Sequence, residues 1–163
     1  MPTNIYLDCE FTEFHGQLLS IALVPEVGVP FYAILDVPVS EISPWSLINV
    51  VPKLKLSADV AATAGSANMP TDRESAARAM AGWLFGFDQP NIIADWPEDF
   101  SHFLNLLSFR PGMALKTPDL TMEYRKIPDF NASRMSKVPH NALHDAIALR
   151  DHCIKPVEPT PAP

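Results

Sequence analysis

Residues 5–12 read Ile-Tyr-Leu-Asp-Cys-Glu-Phe-Thr, two carboxylates one residue apart inside an otherwise apolar run. Successive side chains on a β-strand point to opposite faces, so Asp8 and Glu10 share one face while Leu7, Cys9 and Phe11 share the other. Two like charges roughly 6 to 7 Å apart on a core-forming strand repel each other and lose hydration unless a cation lies between them. A divalent metal site meets that demand. A half-buried edge strand with Asn4, Tyr6, Asp8 and Glu10 turned to water meets it equally well, so the rest of the chain has to decide.

Residues 18–24 are apolar without a break and end at Pro25, the pattern of a strand buried on both faces. Residues 30–35 give a third strand after the turn at Gly28, and the short loops make the three an antiparallel meander. From Glu41 the period lengthens: Trp45, Ile48 and Val51 have helical spacing until Pro52 ends it. Residues 59–69, rich in Ala, Gly and Ser, read as a loop. Thr71 with Glu74 makes a capping box for a helix continuing over residues 76–87. A short strand at 91–94 precedes a helix at 99–107, with Phe100, Phe103, Leu104 and Leu107 as its apolar positions. Residues 113–116 read as a fifth strand, 119–125 as a short helix, 127–139 as irregular and 142–154 as the closing helix. Residues 155–163 form a proline-rich, disordered tail with nothing to bury, which leaves one domain over residues 1–154. Antiparallel strands followed by alternating helix and strand describe an α/β sheet covered by helices, with the first strand central and ligands at the strand ends.

A chain of 163 residues with 47% hydrophobic content can fill one sizeable core. Its formal charge of -7 argues against a domain that grips long nucleic acid by broad electrostatics. A small nucleic-acid site stays compatible, because bound divalent ions reverse the local sign of a carboxylate cluster. Arg125, Lys126, Arg134 and Lys137 gather late in the chain, and each alone fits a solvated loop. The chain lacks a basic start followed by an apolar run, and no apolar stretch approaches the roughly 20 residues that span a bilayer. The reading is therefore an unexported, cytoplasmic protein with no membrane partner. Cys9 and Cys153 have no metal-ligand spacing and read as buried thiols.

In the closing helix Ala142, Ala146, Leu149 and Cys153 form the packing stripe, and Asp145 lies at its edge. Asp145 alone fits a boundary residue that reaches water. Pro139 and the good N-cap Asn141 start the helix after His140, which leaves that imidazole free on a loop to swing over the same site. His144 projects to the outer face.

The ordered set Asp8-Cys9-Glu10-Phe11-Thr12, an acidic element after the strand at 91–94, and His140-Asn141-Ala142-Leu143-His144-Asp145-Ala146 resembles the three motifs of the DEDDh 3′-to-5′ exonucleases. These are the ribonuclease T-like enzymes with a ribonuclease H-like fold. The resemblance runs from Asp8 to Asp145 and is strongest to a compact, single-domain bacterial exoribonuclease branch. It implies an α/β fold with a mixed sheet, three antiparallel N-terminal strands and then parallel ones. It implies two divalent cations, Mg²⁺ or Mn²⁺, held by Asp8, Glu10, Asp99 and Asp145, and a general base at His140. Phe11 and Thr12 would lie beside the terminal nucleotide of a single-stranded RNA or DNA 3′ end, and many relatives are homodimers. The middle motif departs from the family. Asp95-Trp96-Pro97-Glu98-Asp99 has Asp where Asn is common and Glu98 where an aromatic is common, so Asp95 and Asp99 compete for the third acidic position. Pro97 and the apolar spacing after it favour a helix entered near Glu98 whose first turn holds Asp99 at the positive end of the dipole, which favours Asp99 as ligand and Asp95 as an acid either behind the ligands or on the substrate side.

The chemistry suits these residue types. Phosphodiester hydrolysis needs an activated water and neutralised charge on the attacking and leaving oxygens, which paired hard cations on carboxylates provide. A histidine titrating near neutrality can take the proton from the water. Phe14 and Trp96 are aromatic neighbours of the proposed ligands, suited either to stacking on unpaired bases or to the core. Two other classes fit parts of the pattern. One is a haloacid dehalogenase-like phosphatase with Asp8 as nucleophile, and the other a binding module of the same fold that has lost catalysis.

Overall fold

The computed structural model describes residues 2–65 and 68–155. In chain order the elements are β1 (Asn4–Phe11), β2 (Leu18–Pro25), β3 (Phe31–Leu35), α1 (Pro44–Asn49), α2 (Ala58–Thr63), β4 (Pro70–Thr71), α3 (Arg73–Leu84), β5 (Asn91–Ala94), α4 (Pro97–Leu107), β6 (Thr121–Tyr124), α5 (Ala132–Met135) and α6 (Ala142–Ile154). The strands form one mixed sheet in the order β4-β3-β2-β1-β5-β6, antiparallel from β1 to β3 and parallel elsewhere. The protein is thus α/β with β1 in the interior of the sheet. Among the described residues no helix is long and apolar enough to cross a membrane.

Helices cover both faces. Ile5, Leu7, Cys9, Ile21 and Leu23 pack with Ala77, Met80 and Leu84 of α3 and Phe103 and Leu106 of α4. Leu19, Ala22 and Val24 pack on the other side with Ala61 of α2 and Ala142, Leu143 and Ala146 of α6. Every residue of β2 is buried, as its unbroken apolar run requires of a strand covered on two faces.

Several expectations are corrected. Residues 59–69 are not all loop: α2 occupies Ala58–Thr63, because alanines form helix readily and Asp59 in the first turn complements the dipole. The cap of α3 is Asp72, not Thr71, since Thr71 pairs with Leu35 in β4 and Asp72 Oδ1 accepts the Ser75 N–H at 2.9 Å. That helix ends at Leu84. The last strand is Thr121–Tyr124 and not residues 113–116: Met113 only bridges Arg110 across a turn, whereas β6 fills the hydrogen-bonding edge of β5. The helix expected at 119–125 is that strand, its propensity overridden by the backbone demand of β5.

The apolar stripe of α1 does not face the core. Ile48 is 73% exposed and Trp45 is also exposed, while the buried residue is Ser46, whose Oγ donates to the Thr12 carbonyl at 2.8 Å. On α4 His102 and Leu106 are buried and Leu104 is exposed. Residues 132–135 add one helical turn, α5, to the stretch expected to be irregular. Cys153 is half-buried. Of the expected tail, residues 156–163 lie outside the described residues.

Candidate metal centre

The strand β1 parts from β5 just before the acids. Its parallel ladder pairs Asn4, Ile5 and Tyr6 with Asn91, Ile92 and Ile93 and goes no further, while its antiparallel register with β2 shifts between Glu10 and Phe11. A sheet that opens at a strand end, with an irregularity beside it, leaves room for side chains from the flanking helices. After β5 the chain turns through Asp95 into α4, whose first turn carries Asp99 back to β1, where Cys9 Sγ approaches the Asp99 carbonyl at 3.8 Å. From the opposite face the first turn of α6 supplies Asp145.

Five carboxylates meet there. Asp8, Glu10 and Asp145 each bring one oxygen within 4.8 Å of the others, and so do Asp8, Asp95 and Asp99. Asp8 is common to both groups. Asp95, expected behind the ligands or on the substrate side, stands within the acidic cluster in one group with Asp8 and Asp99.

The electrostatics of this arrangement are costly. Asp8 Oδ2, Asp99 Oδ2 and Asp145 Oδ1 are buried and accept no hydrogen bond. A buried carboxylate oxygen without a donor loses its hydration with nothing in return. Burial, then the charges of Asp99 and Asp145, hold Asp8 well above the usual carboxylate range. Asp99 is raised by burial and then by Asp95, and Asp95 by burial. Burial and then Asp145 push Glu10 to about 8, against the pull of the Lys53 ammonium. Burial raises Asp145 to about 6, with the His140 N–H and Lys53 among the groups opposing it. A divalent cation held among these carboxylates would relieve all of these at once. Oxygen-only donors suit Mg²⁺ or Mn²⁺. The residues fit such ions, with Asp8 able to serve both groups.

His140 lies just outside α6, as the Asn141 cap requires: Asn141 Oδ1 accepts the His144 N–H at 3.2 Å. The backbone of His140 has φ 65°, and its N–H donates to Asp145 Oδ2 at 3.0 Å. The imidazole is half-buried and stands edge-on to the Trp45 ring, centroids 5.2 Å apart at 87°. Burial, then Lys53, lower its pKa from the ordinary histidine value. His144 is half-buried and lines a cavity on the far side of α6 with Lys137 and Asp59.

Two residues enter the site that sequence reasoning did not assign to it. Lys53 arrives because Asn141 Nδ2 donates to its carbonyl at 2.7 Å, tying the turn after α1 to the start of α6. Trp45 arrives with α1. Neither has a local signal; only the packing of α1 over the end of β1 brings them in.

The expected substrate-side residues divide. Thr12 is buried and its Oγ1 accepts the Gln17 N–H at 2.9 Å, so its side chain shapes the loop after β1. Phe11 is partly buried, stacked on His102 with centroids 5.0 Å apart. Phe14 and Trp96 are 69% and 48% exposed, which rules out the core for both.

No protein-family model matches the chain, and no curated protein matches it significantly.

Proposed function

We propose that the protein is a metal-dependent phosphodiester hydrolase. Within that class we read it as a DEDDh-type 3′-to-5′ exonuclease of the ribonuclease T-like group, releasing 5′-mononucleotides from single-stranded RNA. The observation that carries the reading is the shared position of Asp8 in two groups of carboxylates, three of whose oxygens, Asp8 Oδ2, Asp99 Oδ2 and Asp145 Oδ1, are buried without a hydrogen-bond partner. The mixed sheet, antiparallel at β1–β3 and parallel at β5–β6, is compatible with a ribonuclease H-like fold. Preference for RNA and a homodimer rest on the resemblance of the motifs, and a cytoplasmic setting on the reading of the N-terminal sequence; all are parts of the same proposal.

Asp8, Glu10, Asp99 and Asp145 would hold two divalent cations, with Asp95 beside them. Such ions, when bound, neutralise charge on the phosphate and make water nucleophilic at neutral pH. The chain's own groups do the rest. His140, whose pKa burial and Lys53 lower, would accept the proton of the attacking water. Its backbone N–H holds Asp145 Oδ2, so the loop that carries the base also orients a ligand. The Lys53 ammonium, which acts on Glu10, Asp145 and His140, would add positive charge to the phosphate's side of the site, and the exposed rings of Phe14 and Trp96 offer faces for unpaired bases.

The test is digestion of 5′-labelled RNA and DNA oligomers with Mg²⁺ or Mn²⁺. Stepwise shortening from the 3′ end is expected, abolished by EDTA and by Asp8→Ala. Full activity in excess chelator would refute the reading.

A further inference from the structure

We propose that Glu98 is a positioning residue that locks the loop of residues 12–17 to the start of α4 and so fixes an aromatic shelf for the unpaired bases of the substrate; this rests on the nuclease reading above. Glu98 is adjacent to Asp99 and its side chain is only 11% exposed, yet it joins neither acidic group. Its Oε1 instead accepts the His15 backbone N–H at 2.5 Å. The same oxygen lies 3.9 Å from His15 Nδ1 and 3.8 Å from His102 Nε2.

The loop end of this link is strained and tightly closed. His15 has φ 60°, a conformation that non-glycine residues hold only where their surroundings fix it. The next residue must be glycine, because a Cβ on Gly16 would stand 2.2 Å from Thr12 Oγ1 and 2.8 Å from the Glu13 carbonyl. This loop, closed by Thr12 N–H to the Gln17 carbonyl and Gly16 N–H to the Glu13 carbonyl, carries Phe14.

The helix end carries Trp96, the N-cap residue of α4. Phe14 and Trp96 stand with ring centroids 6.3 Å apart and tilted by 42°, and Phe14 and Phe11 6.2 Å apart, tilted by 47°. The His102 ring backs Phe11. A groove of about 320 Å³ runs beside Phe14 and Trp96, and Glu98 and His15 are among its lining residues. Phe11 on β1, Phe14 on the loop and Trp96 at the start of α4 thus form a row of three neighbouring rings, and among the described residues no backbone hydrogen bond joins the loop to α4. Glu98 is the hydrogen-bonded connection that sets their spacing. Preorganised aromatic faces bind unpaired bases without first ordering the loop, so the latch acts on substrate affinity.

The experiment compares wild type, Glu98→Ala and Glu98→Gln on a single-stranded oligonucleotide and on a p-nitrophenyl phosphodiester of one nucleotide, which is too short to span the shelf. Glu98→Ala should raise KM for the oligonucleotide about tenfold more than for the ester, with kcat on the oligonucleotide changed less than about threefold. Glu98→Gln, whose amide oxygen can accept the same N–H, should restore most of the affinity. Amide exchange at His15 should quicken in Glu98→Ala and stay slow in Glu98→Gln. Equal KM shifts on both substrates, a kcat loss that dominates, or no rescue by Gln would overturn the latch. If wild type cleaves neither substrate the nuclease reading fails by itself, and unchanged His15 exchange in Glu98→Ala then overturns the latch independently.

Discussion

Withdrawing divalent metal should set the direction in which the protein's stability responds to pH. In the metal-free fold Glu10 titrates near 8 against an ordinary 4.5, and Asp145 near 6 against 3.8. Between those values the folded chain holds protons that the unfolded chain has released, so stability falls as pH rises through that window. At 1.36 kcal/mol for each pH unit, Glu10 alone corresponds to about 5 kcal/mol and Asp145 to about 3 kcal/mol. The acids raise one another, so the two figures overlap and the larger one sets the scale. For a domain of this size each kcal/mol moves Tm by about 2 to 4 °C, which predicts a fall on the order of 10 °C from pH 5 to pH 8.5 in EDTA. Mn²⁺ at a hundred times its Kd adds about 2.7 kcal/mol, and the gain should grow with pH because the ligands must be deprotonated. Thermal melts across that range, with EDTA and with Mn²⁺, make the measurement. A Tm in EDTA that is flat or rises with pH, or an Mn²⁺ effect as large at pH 5 as at pH 8.5, would refute the reasoning. Glu10→Gln should flatten the slope.

Asp99→Asn should cost both metal affinity and rate, measured by Mn²⁺ titration and turnover, while Asp95→Asn should be milder because that carboxylate is less buried; the opposite pattern would make Asp95 the third ligand. His140→Ala should lose roughly 10² to 10⁴ in kcat with metal binding largely kept, and His144→Ala should do little; equal losses would remove His140 from its role. Asn141→Ala should lower stability by about 2 kcal/mol in a denaturant melt, since it removes the cap of α6 and the donor to the Lys53 carbonyl. Gly16→Ala should cost about 1 to 3 kcal/mol, because the added methyl collides with backbone as well as with Thr12; an unchanged Tm would mean that the loop is open.

What the sequence determined was whatever depends on neighbours along the chain. Alternation put Asp8 and Glu10 on one face of β1, where α6 meets them, because strand periodicity needs no tertiary information. The unbroken apolar run of β2 implied cover on both faces, and Asn141 marked the start of α6 and so freed His140, because capping is a local hydrogen-bond requirement. Helical spacing alone misjudged α1, where Ser46 and not Trp45 or Ile48 turns inward, because the surface it meets is the backbone of Phe11 and Thr12. Residues 121–124 became a strand for a similar reason. Their local preference was weak, and the free edge of β5 decided.

Only the tertiary structure could gather the five carboxylates, since Asp8, Asp99 and Asp145 come from three elements far apart in the chain, on both sides of the sheet. Their raised pKa values are properties of burial and mutual distance, which no spacing in the sequence encodes. Lys53 and Trp45 stand beside His140 because α1 and the turn after it fold over the end of β1. Glu98 was visible only as a departure from a motif. Its contact with the His15 N–H depends on how a loop closes eighty-three residues away in sequence, and loop closure of that kind is decided by packing.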